Sequence, residues 1–203
     1  MMRQGLAQLI NSEPDLLVCS EADTAGQALN LAATSNPDLI LVDISLPDRN
    51  GLELIKDLCA LFPGLLILVV SMHDESLYAE RVLRAGARGY LMKQEGGKKL
   101  MEAIRQILAG QIYVSEKMSA AILEIFSGRR DFDGGSPIER LTDREFEVFQ
   151  LMGQGLSTRE IGQRLHISSK TVESHRRNIM RKLGLKSAAR LVRYAIHHGL
   201  VQP

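Results

Sequence analysis

Residues 39–61 read LILVDISLPDRNGLELIKDLCAL. The first four form a dense apolar run of strand length, and the last ten place apolar side chains at helical spacing. The stretch therefore predicts a buried strand followed by a helix. The same alternation extends in both directions. Further strands are predicted at Leu16–Val18, Leu65–Val70 and Gly89–Met92, and further helices at Thr24–Thr34, Ser76–Ala85 and Gly97–Ala109. This alternation is typical of an α/β domain whose parallel sheet has helices on both faces.

Polar residues stand at the ends of three predicted strands. Asp43, Ser71 and Lys93 follow one another at intervals of 28 and 22 residues, one strand–helix unit each. Because the carboxyl ends of parallel strands share one rim, we expect the three side chains to meet there. Taken singly, each residue also has an ordinary structural explanation: Asp43 as a turn former, Ser71 as a cap and Lys93 as a solvated charge. Together they suit phosphoryl chemistry, with the carboxylate as nucleophile and the hydroxyl and ammonium as contacts of the transferred group.

The motifs around these residues are specific. They are DISLP from Asp43, Asn50-Gly51, Ser71, and YLMK ending at Lys93. Over residues 4–110 the chain resembles the receiver domain of bacterial two-component response regulators, which has a flavodoxin-like fold with strand order 2-1-3-4-5. The resemblance implies that Asp43 accepts phosphate from a sensor histidine kinase, that Ser71 and Tyr90 form the switch, and that Lys93 contacts the phosphoryl group. Tyr90 by itself could equally be an ordinary strand aromatic.

One part of the receiver pattern is absent from the start of the sequence. Receiver domains open with a strand ending in two acidic residues, which bind Mg²⁺ together with the phospho-acceptor. This sequence opens instead with an apparent helix over residues 1–10, and its first carboxylate is Glu13. The expected Mg²⁺ site is therefore partial, made by Asp43 and a main-chain carbonyl near Ser45, in an N-terminally incomplete sheet. Either the sequence begins too late, or this receiver works without ordinary phosphorylation.

Charge divides the chain into two parts. Residues 1–136 carry 13 Lys and Arg against 18 Asp and Glu, whereas residues 137–203 carry 12 against 6. We therefore expect two domains with different partners, the basic one a candidate for nucleic acid. The longest central apolar run is too short to span a membrane, no export signal opens the sequence, and Cys19 and Cys59 are expected as buried, reduced thiols. These features predict a cytoplasmic protein.

The basic part consists of predicted helices. Thr142 and Glu145 form a capping box for the first helix, which ends near Gly153 and Gly155. A second helix begins at Ser157 or Thr158. Ser168 caps the third, predicted from Ser169 to about Leu183, and the fourth is predicted at Ser187–His198. Two short helices joined by a tight turn describe a helix-turn-helix, whose second helix enters the major groove of DNA.

The third of these helices carries a polar face opposite an apolar stripe. Ser168 and Lys170 at its start can hold phosphate, whereas Arg177 can bond guanine and Glu173 can accept from cytosine. His175 contacts either phosphate or the neighbouring helix, and a merely solvated charged face is the alternative interpretation. The candidate DNA-binding residues are Ser168, Lys170, Thr171, Glu173, Ser174, His175, Arg177 and Arg181.

The basic part closely resembles the LuxR-type DNA-binding domain. The matching residues include Leu141-Thr-x-Arg-Glu145, Leu165-x-Ile-Ser168 and Thr171-Val-Glu-Ser-His175. A receiver followed by a LuxR-type domain is the arrangement of the NarL/FixJ subfamily of response regulators. The resemblance implies a homodimeric transcription factor that binds double-stranded DNA, and the fourth helix offers the apolar stripe Ala188, Leu191, Val192 and Ala195 either for pairing or for its own core.

The predicted organisation is a receiver domain at residues 1–110, a linker with a short helix at 111–136, and an all-α four-helix domain at 137–203. Within the linker, Ser115–Phe126 is the expected helix and Ser127–Ser136 is expected to be flexible. One alternative is an enzyme, a phosphohydrolase of the haloacid dehalogenase type with Asp43 as its nucleophile. Such an enzyme needs a second Asp two residues after the nucleophile, and this chain has Ser45 at that position. The remaining alternative is a DNA-binding regulator whose front domain is a protein-interaction module independent of phosphorylation.

Overall fold

The computed structural model describes residues 2–126 and 137–197. Its contacts divide the chain into two units, Met1–Ser119 and Ala120–Pro203. The first unit contains α1 (Met2–Asn11), α2 (Ala25–Ser35), β1 (Leu39–Val42), α3 (Gly51–Leu61), β2 (Leu66–Ser71), α4 (Glu75–Arg84), β3 (Gly89–Met92) and α5 (Gly96–Leu108). The next helix, α6 (Glu116–Phe126), begins in this unit. The predicted helices and three of the four predicted strands are confirmed within one residue at nearly every boundary.

Local capping determines where the helices of the first unit begin. Thr24 accepts a hydrogen bond from the Gln27 amide at the start of α2, and Asn50 does the same for Leu52 at the start of α3. Asp74 caps α4 in the same way. Each cap satisfies an amide that has no partner inside its helix. These caps end the loops that follow β1 and β2, and so they determine which residues lie at the rim of the sheet.

The sheet is parallel, with the strand order β1-β2-β3. Val42 pairs with Val69, and Val69 pairs with Tyr90. This is the order expected for the last three strands of the receiver fold. Leu68 and Val70 face the layer formed by α5 and α1, whereas the alternate residues Ile67 and Val69 are fully buried on the other face. The sheet is therefore covered on both sides.

Helix α1, which the opening sequence predicted, packs against α5. A Cβ at Gly97 would lie 2.6 Å from a terminal methyl group of Leu9, so a larger residue there would require the Leu9 side chain to shift. Beyond the end of α1, Glu13 and Asp15 form ion pairs with Arg105 of α5. These contacts join the first turns of the chain to the sheet through the helical layer.

The predicted strand Leu16–Val18 is wrong. These residues form no ladder, and the Val18 amide donates to the Asn11 side chain at 2.8 Å. Leu16 packs against the core next to α5, whereas Leu17 is 81% exposed. An apolar run becomes a strand only when a neighbouring strand accepts its backbone hydrogen bonds, and the described residues contain no strand beside this one.

Two further expectations are corrected or extended. Cys19 is exposed and Cys59 only half-buried, so the expectation of two buried thiols is wrong; both are free.

The residues just after α5, which the sequence assigned to the linker, pack against the sheet. Tyr113 is buried beside β3, and its carbonyl accepts a hydrogen bond from the Tyr90 amide at 2.9 Å. The domain boundaries drawn from the sequence stay a prediction.

The second unit contains α7 (Asp143–Gly153), α8 (Thr158–Arg164), α9 (Ser169–Lys182) and α10 (Ala188–His197). A capping box at Thr142 starts α7 and Ser168 caps α9, as the sequence predicted. Of the two predicted starts of α8, Ser157 is the cap, and it forms a capping box with Glu160. The core consists of the buried residues Phe146, Phe149, Ile161, Val172, Ile179 and Leu191. Leu191 and Ala195 of α10 are fully buried in the unit itself.

The predicted flexible segment Ser127–Ser136 and the end of the predicted fourth helix at His198 lie outside the described residues. Across the two described ranges, the structure contains no helix that is both long and apolar enough to cross a membrane.

Candidate functional site

The polar residues at the strand ends meet at one rim of the sheet. Asp43 follows β1, Ser71 is the last residue of β2, and Lys93 follows β3. The Lys93 ammonium donates a hydrogen bond to Asp43 Oδ2 at 2.5 Å. Asp43 and Lys93 are 50 residues apart in the chain, so the parallel sheet alone brings them together.

Both oxygens of the Asp43 carboxylate have a partner. Lys93 binds Oδ2, and the amide of Ser45 donates to Oδ1 at 3.2 Å. The Asp43 side chain nevertheless keeps 32% of its exposure, and Lys93 keeps 14%. The arrangement is a carboxylate open to solvent on one side and held by a cation on the other, which suits a nucleophile whose product carries additional negative charge.

Ser71 and Tyr90 lie under this rim and both bond to the loop after β2. Both residues are buried. The Tyr90 hydroxyl donates to the His73 carbonyl at 2.8 Å, and the His73 amide donates to Ser71 Oγ at 3.2 Å. Burial raises the pKa of Tyr90 far above its usual range, although a hydrogen bond with Ser71 opposes this shift. The Tyr90 hydroxyl is therefore neutral, and it is hydrogen-bonded to the loop after β2.

His73 is the site residue that the sequence analysis missed. Its Nε2 lies 2.9 Å from Ser45 Oγ, and its ring stacks on Tyr78 with a centroid distance of 4.9 Å. Burial lowers the pKa of His73; the Asp43 carboxylate opposes that shift and Lys93 adds to it. A sequence signal existed, because His73 follows Ser71 by two residues just as Ser45 follows Asp43 by two.

A second contact that the sequence did not reveal joins α4 to the residues after α5. The Glu75 carboxylate accepts a hydrogen bond from the Ser115 amide at 2.8 Å. Ser115 in turn caps α6, since its Oγ accepts from the Met118 amide. Glu75 comes two residues after His73, so the loop at the site is connected to the start of α6.

The described residues do not fit a complete Mg²⁺ site. Mg²⁺ prefers six oxygen ligands and is held by carboxylates together with several waters. Within the described ranges no group of three His, Cys, Asp or Glu residues could hold a metal ion, and the Lys93 ammonium occupies one oxygen of Asp43. The predicted ligands Asp43 and Ser45 are bonded to each other and to Lys93 and His73 instead.

In the second unit, the predicted DNA-binding residues share one exposed face of α9. Val172 and Ile179 are buried on the opposite side. The exposed residues follow at intervals of four, three and four positions, which is the spacing of one helical face. They are Lys170, Ser174, Arg177 and Arg181.

The start of α9 has the geometry of a tight turn. Ser168 Oγ accepts from the Thr171 amide at 3.1 Å, and both residues are exposed. A side chain at Gly162 would lie 2.8 Å from the Ile167 carbonyl, so α8 and the turn need a glycine there. His166, with a φ of 53°, reverses the chain. The turn therefore leaves the amino end of α9 open at the surface, where a helix favours anions.

Glu173 and His175 differ from the rest of the predicted set. Glu173 Oε1 accepts from Thr158 Oγ1 at 2.9 Å and from Arg176 at 3.2 Å, so this carboxylate joins α9 to α8. His175 is half-buried. Of the eight candidate DNA-binding residues, Glu173 is thus the one whose side chain is hydrogen-bonded to a neighbouring helix.

Two family models match this architecture. Residues 1–105 match the response regulator receiver domain, and residues 139–195 match the bacterial regulatory proteins of the luxR family. The first match covers the sheet and the strand-end residues, and the second covers the whole helix-turn-helix. Proteins of the luxR family are DNA-binding transcription regulators, and receiver domains commonly bind Mg²⁺.

Relatives match the chain over its whole length. The transcriptional regulatory protein DegU of Brevibacillus brevis is 33% identical, over 100% of this chain and 91% of its own. The oxygen regulatory protein NreC of Staphylococcus haemolyticus is 33% identical, over 99% and 94%. A structure of RcsB from Salmonella enterica serovar Typhimurium, bound to promoter rprA in the presence of the phosphomimetic BeF₃⁻, is 26% identical with a TM-score of 0.69, over 94% and 91%. The chain belongs to the NarL/FixJ-type two-component response regulators, DNA-binding transcription regulators with a receiver domain and a LuxR-type helix-turn-helix domain.

Proposed function

We propose that Asp43 is the phospho-acceptor of this regulator and that its phosphorylation controls DNA binding by α9. The observation that carries the proposal is the Asp43–Lys93 pair of 2.5 Å at the carboxyl edge of the sheet, above the buried Ser71 and Tyr90. A carboxylate that is open to solvent and held by a cation has the access and the charge compensation that phosphoryl transfer needs.

In the proposed reaction, an oxygen of Asp43 attacks the phosphorus of a phosphohistidine on a sensor kinase. The P–N bond breaks, the imidazole leaves with the bonding electrons and takes up a proton, and an acyl phosphate forms on Asp43. Lys93 neutralises part of the added charge. Ser71 and Tyr90 then respond through the loop at His73, to which both are bonded. No step is assigned to Mg²⁺, because the described residues do not fit it.

The second half of the proposal concerns DNA. We infer that Lys170, Ser174, Arg177 and Arg181 face the major groove, with Ser168, Thr171 and the amino end of α9 on a phosphate. The exposed stripe on α9 supports this arrangement. Glu173 joins α9 to α8 through its hydrogen bond with Thr158, and His175 is half-buried on α9. Two copies bound to a two-fold DNA site in the cytoplasm would form the active species.

The chain acts as a regulator rather than as an enzyme in this proposal. A phosphohydrolase of the haloacid dehalogenase type would need a second Asp two residues after its nucleophile, where this chain has Ser45. Ser45 bonds to His73 and to Asp43 and has no acid or base of its own to offer.

Labelling with a small phospho-donor tests the acceptor. Incubation with acetyl phosphate, followed by a phosphate-affinity gel, is expected to give a shifted band that Asp43→Asn abolishes. Asp38→Asn is the matched control, because Asp38 is an exposed aspartate at the opposite end of β1. Labelling that survives Asp43→Asn, or that Asp38→Asn also abolishes, would contradict the assignment.

One observation favours a second candidate function. Asp43 is bonded to Lys93 and Ser45, and the described residues contain no group of three His, Cys, Asp or Glu residues around it that could hold a metal ion. A receiver of this kind can serve as a protein-interaction module. The DNA-binding domain of the same chain would then bind DNA whether or not Asp43 is phosphorylated. Equal DNA affinity of the parent and Asp43→Asn, with and without acetyl phosphate, would favour this function over the first.

A further inference from the structure

Strands β1 and β2 contain the same four residues in sequence but differ in burial. β1 reads LILV, and so do residues 66–69 of β2, which pair with it one for one. Residues 67–69 of β2 are fully buried, whereas residues 39–41 of β1 are only half-buried. Because the residue types are identical, the difference comes from the surroundings. β2 has a strand on each side, and β1 lies at the edge of the sheet.

The edge of β1 directs backbone groups away from the sheet. The Asp38 carbonyl accepts a hydrogen bond from the Leu66 amide, so Asp38 and every second residue after it turn their backbone groups to β2. The backbone groups of Leu39 and Leu41 therefore point to the other side, where the described residues contain no strand. An edge of this kind is a template for pairing with a further strand.

This edge is apolar on both faces of the sheet. Leu39 and Leu41 pack against the layer of α5 and α1, and Ile40 lies on the opposite face. None of the residues of β1 carries a charge, although natural edge strands are commonly protected by Lys or Pro. A strand that pairs here must therefore be apolar as well, because a polar side chain beside these residues would be buried without a partner.

We propose that β1 pairs with β1 of a second copy of this chain, antiparallel, across a two-fold axis at Ile40. In this register Leu39 lies opposite Leu41 of the partner subunit. The backbone groups that point outward then meet as hydrogen-bonded pairs, each exchanging both of its N–H···O bonds. The leucines meet on one face of the joined sheet, and the two Ile40 side chains meet on the other. The edge of β1 is thus complementary to itself.

The charges at the ends of β1 allow this register. Asp38 precedes the strand and Asp43 follows it. With the axis at Ile40, Asp38 lies opposite Val42 of the partner subunit, so no carboxylate faces another directly. The interface is short because β1 has only 4 residues, and we therefore expect a weak dimer whose population rises with protein concentration. The contact is independent of the state of Asp43, so it adds to the proposed function and does not rest on it.

Amide hydrogen exchange of the full chain, followed by NMR at increasing protein concentration, tests the open edge. The amides of Leu39 and Leu41 are expected to exchange fast in dilute solution and to slow by about tenfold or more as the dimer forms. The Ile40 amide is the internal control, because it faces β2 and is expected to be protected at every concentration. Sedimentation of the same samples gives the solution mass.

A cross-link tests the register. The two Ile40 residues would form a non-hydrogen-bonded pair with a Cα–Cα distance of about 4.5 Å, which a disulfide can bridge. Oxidation of Ile40→Cys, in a chain that also carries Cys19→Ser, is therefore expected to give a covalent dimer on a non-reducing gel. Leu17→Cys in the same background is the matched control. Leu17 is 81% exposed and lies outside the strand, so its variant is expected to stay monomeric.

The outcomes decide between an occupied and an unoccupied edge. Fast exchange of the Leu39 and Leu41 amides at every concentration overturns the proposal, because the edge would then be open. Slow exchange at every concentration in a chain with the mass of a monomer overturns it too, because the edge would be covered within the chain. Equal cross-linking of Ile40→Cys and Leu17→Cys overturns the register. Protection of both amides in a dimer, with selective cross-linking at residue 40, supports it.

Discussion

Two lysine–carboxylate pairs of nearly equal length, one in each unit, have different surroundings. Lys93 lies 2.5 Å from Asp43 at the rim of the sheet, and Lys182 lies 2.6 Å from Glu145 between α9 and α7. The Asp43 side chain is 32% exposed, whereas that of Glu145 is only 6% exposed. Glu145 also accepts from the Thr142 amide as part of a capping box, whereas Asp43 caps no helix.

This difference shows that the length of an ion pair does not reveal its role. The role of the pair follows instead from the other hydrogen-bond partners of the carboxylate and from its exposure to solvent. Glu145 has its hydrogen-bonding capacity used by helix α7 and the Lys182 ammonium, so it stabilises the fold. Asp43 is open to solvent and its bonded partners, Ser45 and Lys93, lie in the segments that follow β1 and β3, so it is available for chemistry.

The largest expected effect follows from breaking the pair in the second unit. Lys182→Met leaves the Glu145 charge nearly buried without its cation, which is expected to cost about 3 kcal/mol of unfolding free energy. Urea unfolding, followed through the NMR signals of α7 and α9, would measure it. Lys93→Met, the same change at the pair whose carboxylate stays open to solvent, is expected to change the stability of the first unit by less than about 1 kcal/mol, because water can solvate the Asp43 carboxylate that is left. Equal losses in the two units would contradict the contrast.

The next effect concerns cations of the second unit that lie on the exposed face of α9. Arg177→Ala is expected to cost about 1–3 kcal/mol of DNA-binding free energy and to relax base preference. Lys170→Ala is expected to weaken binding to all sequences alike and to reduce the salt dependence. Titrations with specific and random duplexes at several salt concentrations would show both. Lys186→Ala, at an exposed lysine beyond α9, is the control; if both variants bind like it, α9 is not the recognition helix.

A smaller effect is expected on acidification. Burial by itself raises the pKa of Glu145, but bonds from Lys182 and Thr142 outweigh it and leave the pKa lowered in the folded protein. A carboxyl whose folded pKa is lowered contributes stability above its unfolded pKa and loses it as the pH falls through the folded value. The second unit should therefore lose stability below about pH 4. Glu145→Gln should show a flatter pH dependence in urea unfolding, and identical curves would contradict this origin.

The smallest effect is expected from metal removal. Because the Lys93 ammonium and the Ser45 amide occupy the Asp43 oxygens, labelling by acetyl phosphate should be slow and almost the same with Mg²⁺ as with EDTA. A phosphate-affinity gel with both additions would measure it, with Asp43→Asn as the blank. Strong stimulation by Mg²⁺ that disappears in Asp43→Asn would contradict this expectation, because it would show that the ion binds beside Asp43.

Most of the fold could be predicted because its signals are local. Thr24, Asn50, Thr142 and Ser168 each cap a helix through an amide two or three residues away, so the boundary can be read from neighbouring letters. Strand assignment failed where the signal is not local: Leu16–Val18 is as apolar as Leu39–Val42, but only the latter has a strand beside it. A backbone that cannot pair across the sheet is not a strand.

The sequence by itself determined the two-domain arrangement, the rim of the sheet where Asp43, Ser71 and Lys93 meet, and the polar face of α9. The rim and the polar face follow from the geometry of parallel strands and from helical spacing, which do not depend on the details of packing. Only the tertiary structure decided which partners each side chain has. His73 bonds to Ser45, Glu173 bonds to Thr158, and Glu145 pairs with Lys182, because packing joins residues that lie 28, 15 and 37 positions apart. Hydrogen bonds between side chains require atoms within about 3 Å, a precision that helical and strand periodicity alone do not supply.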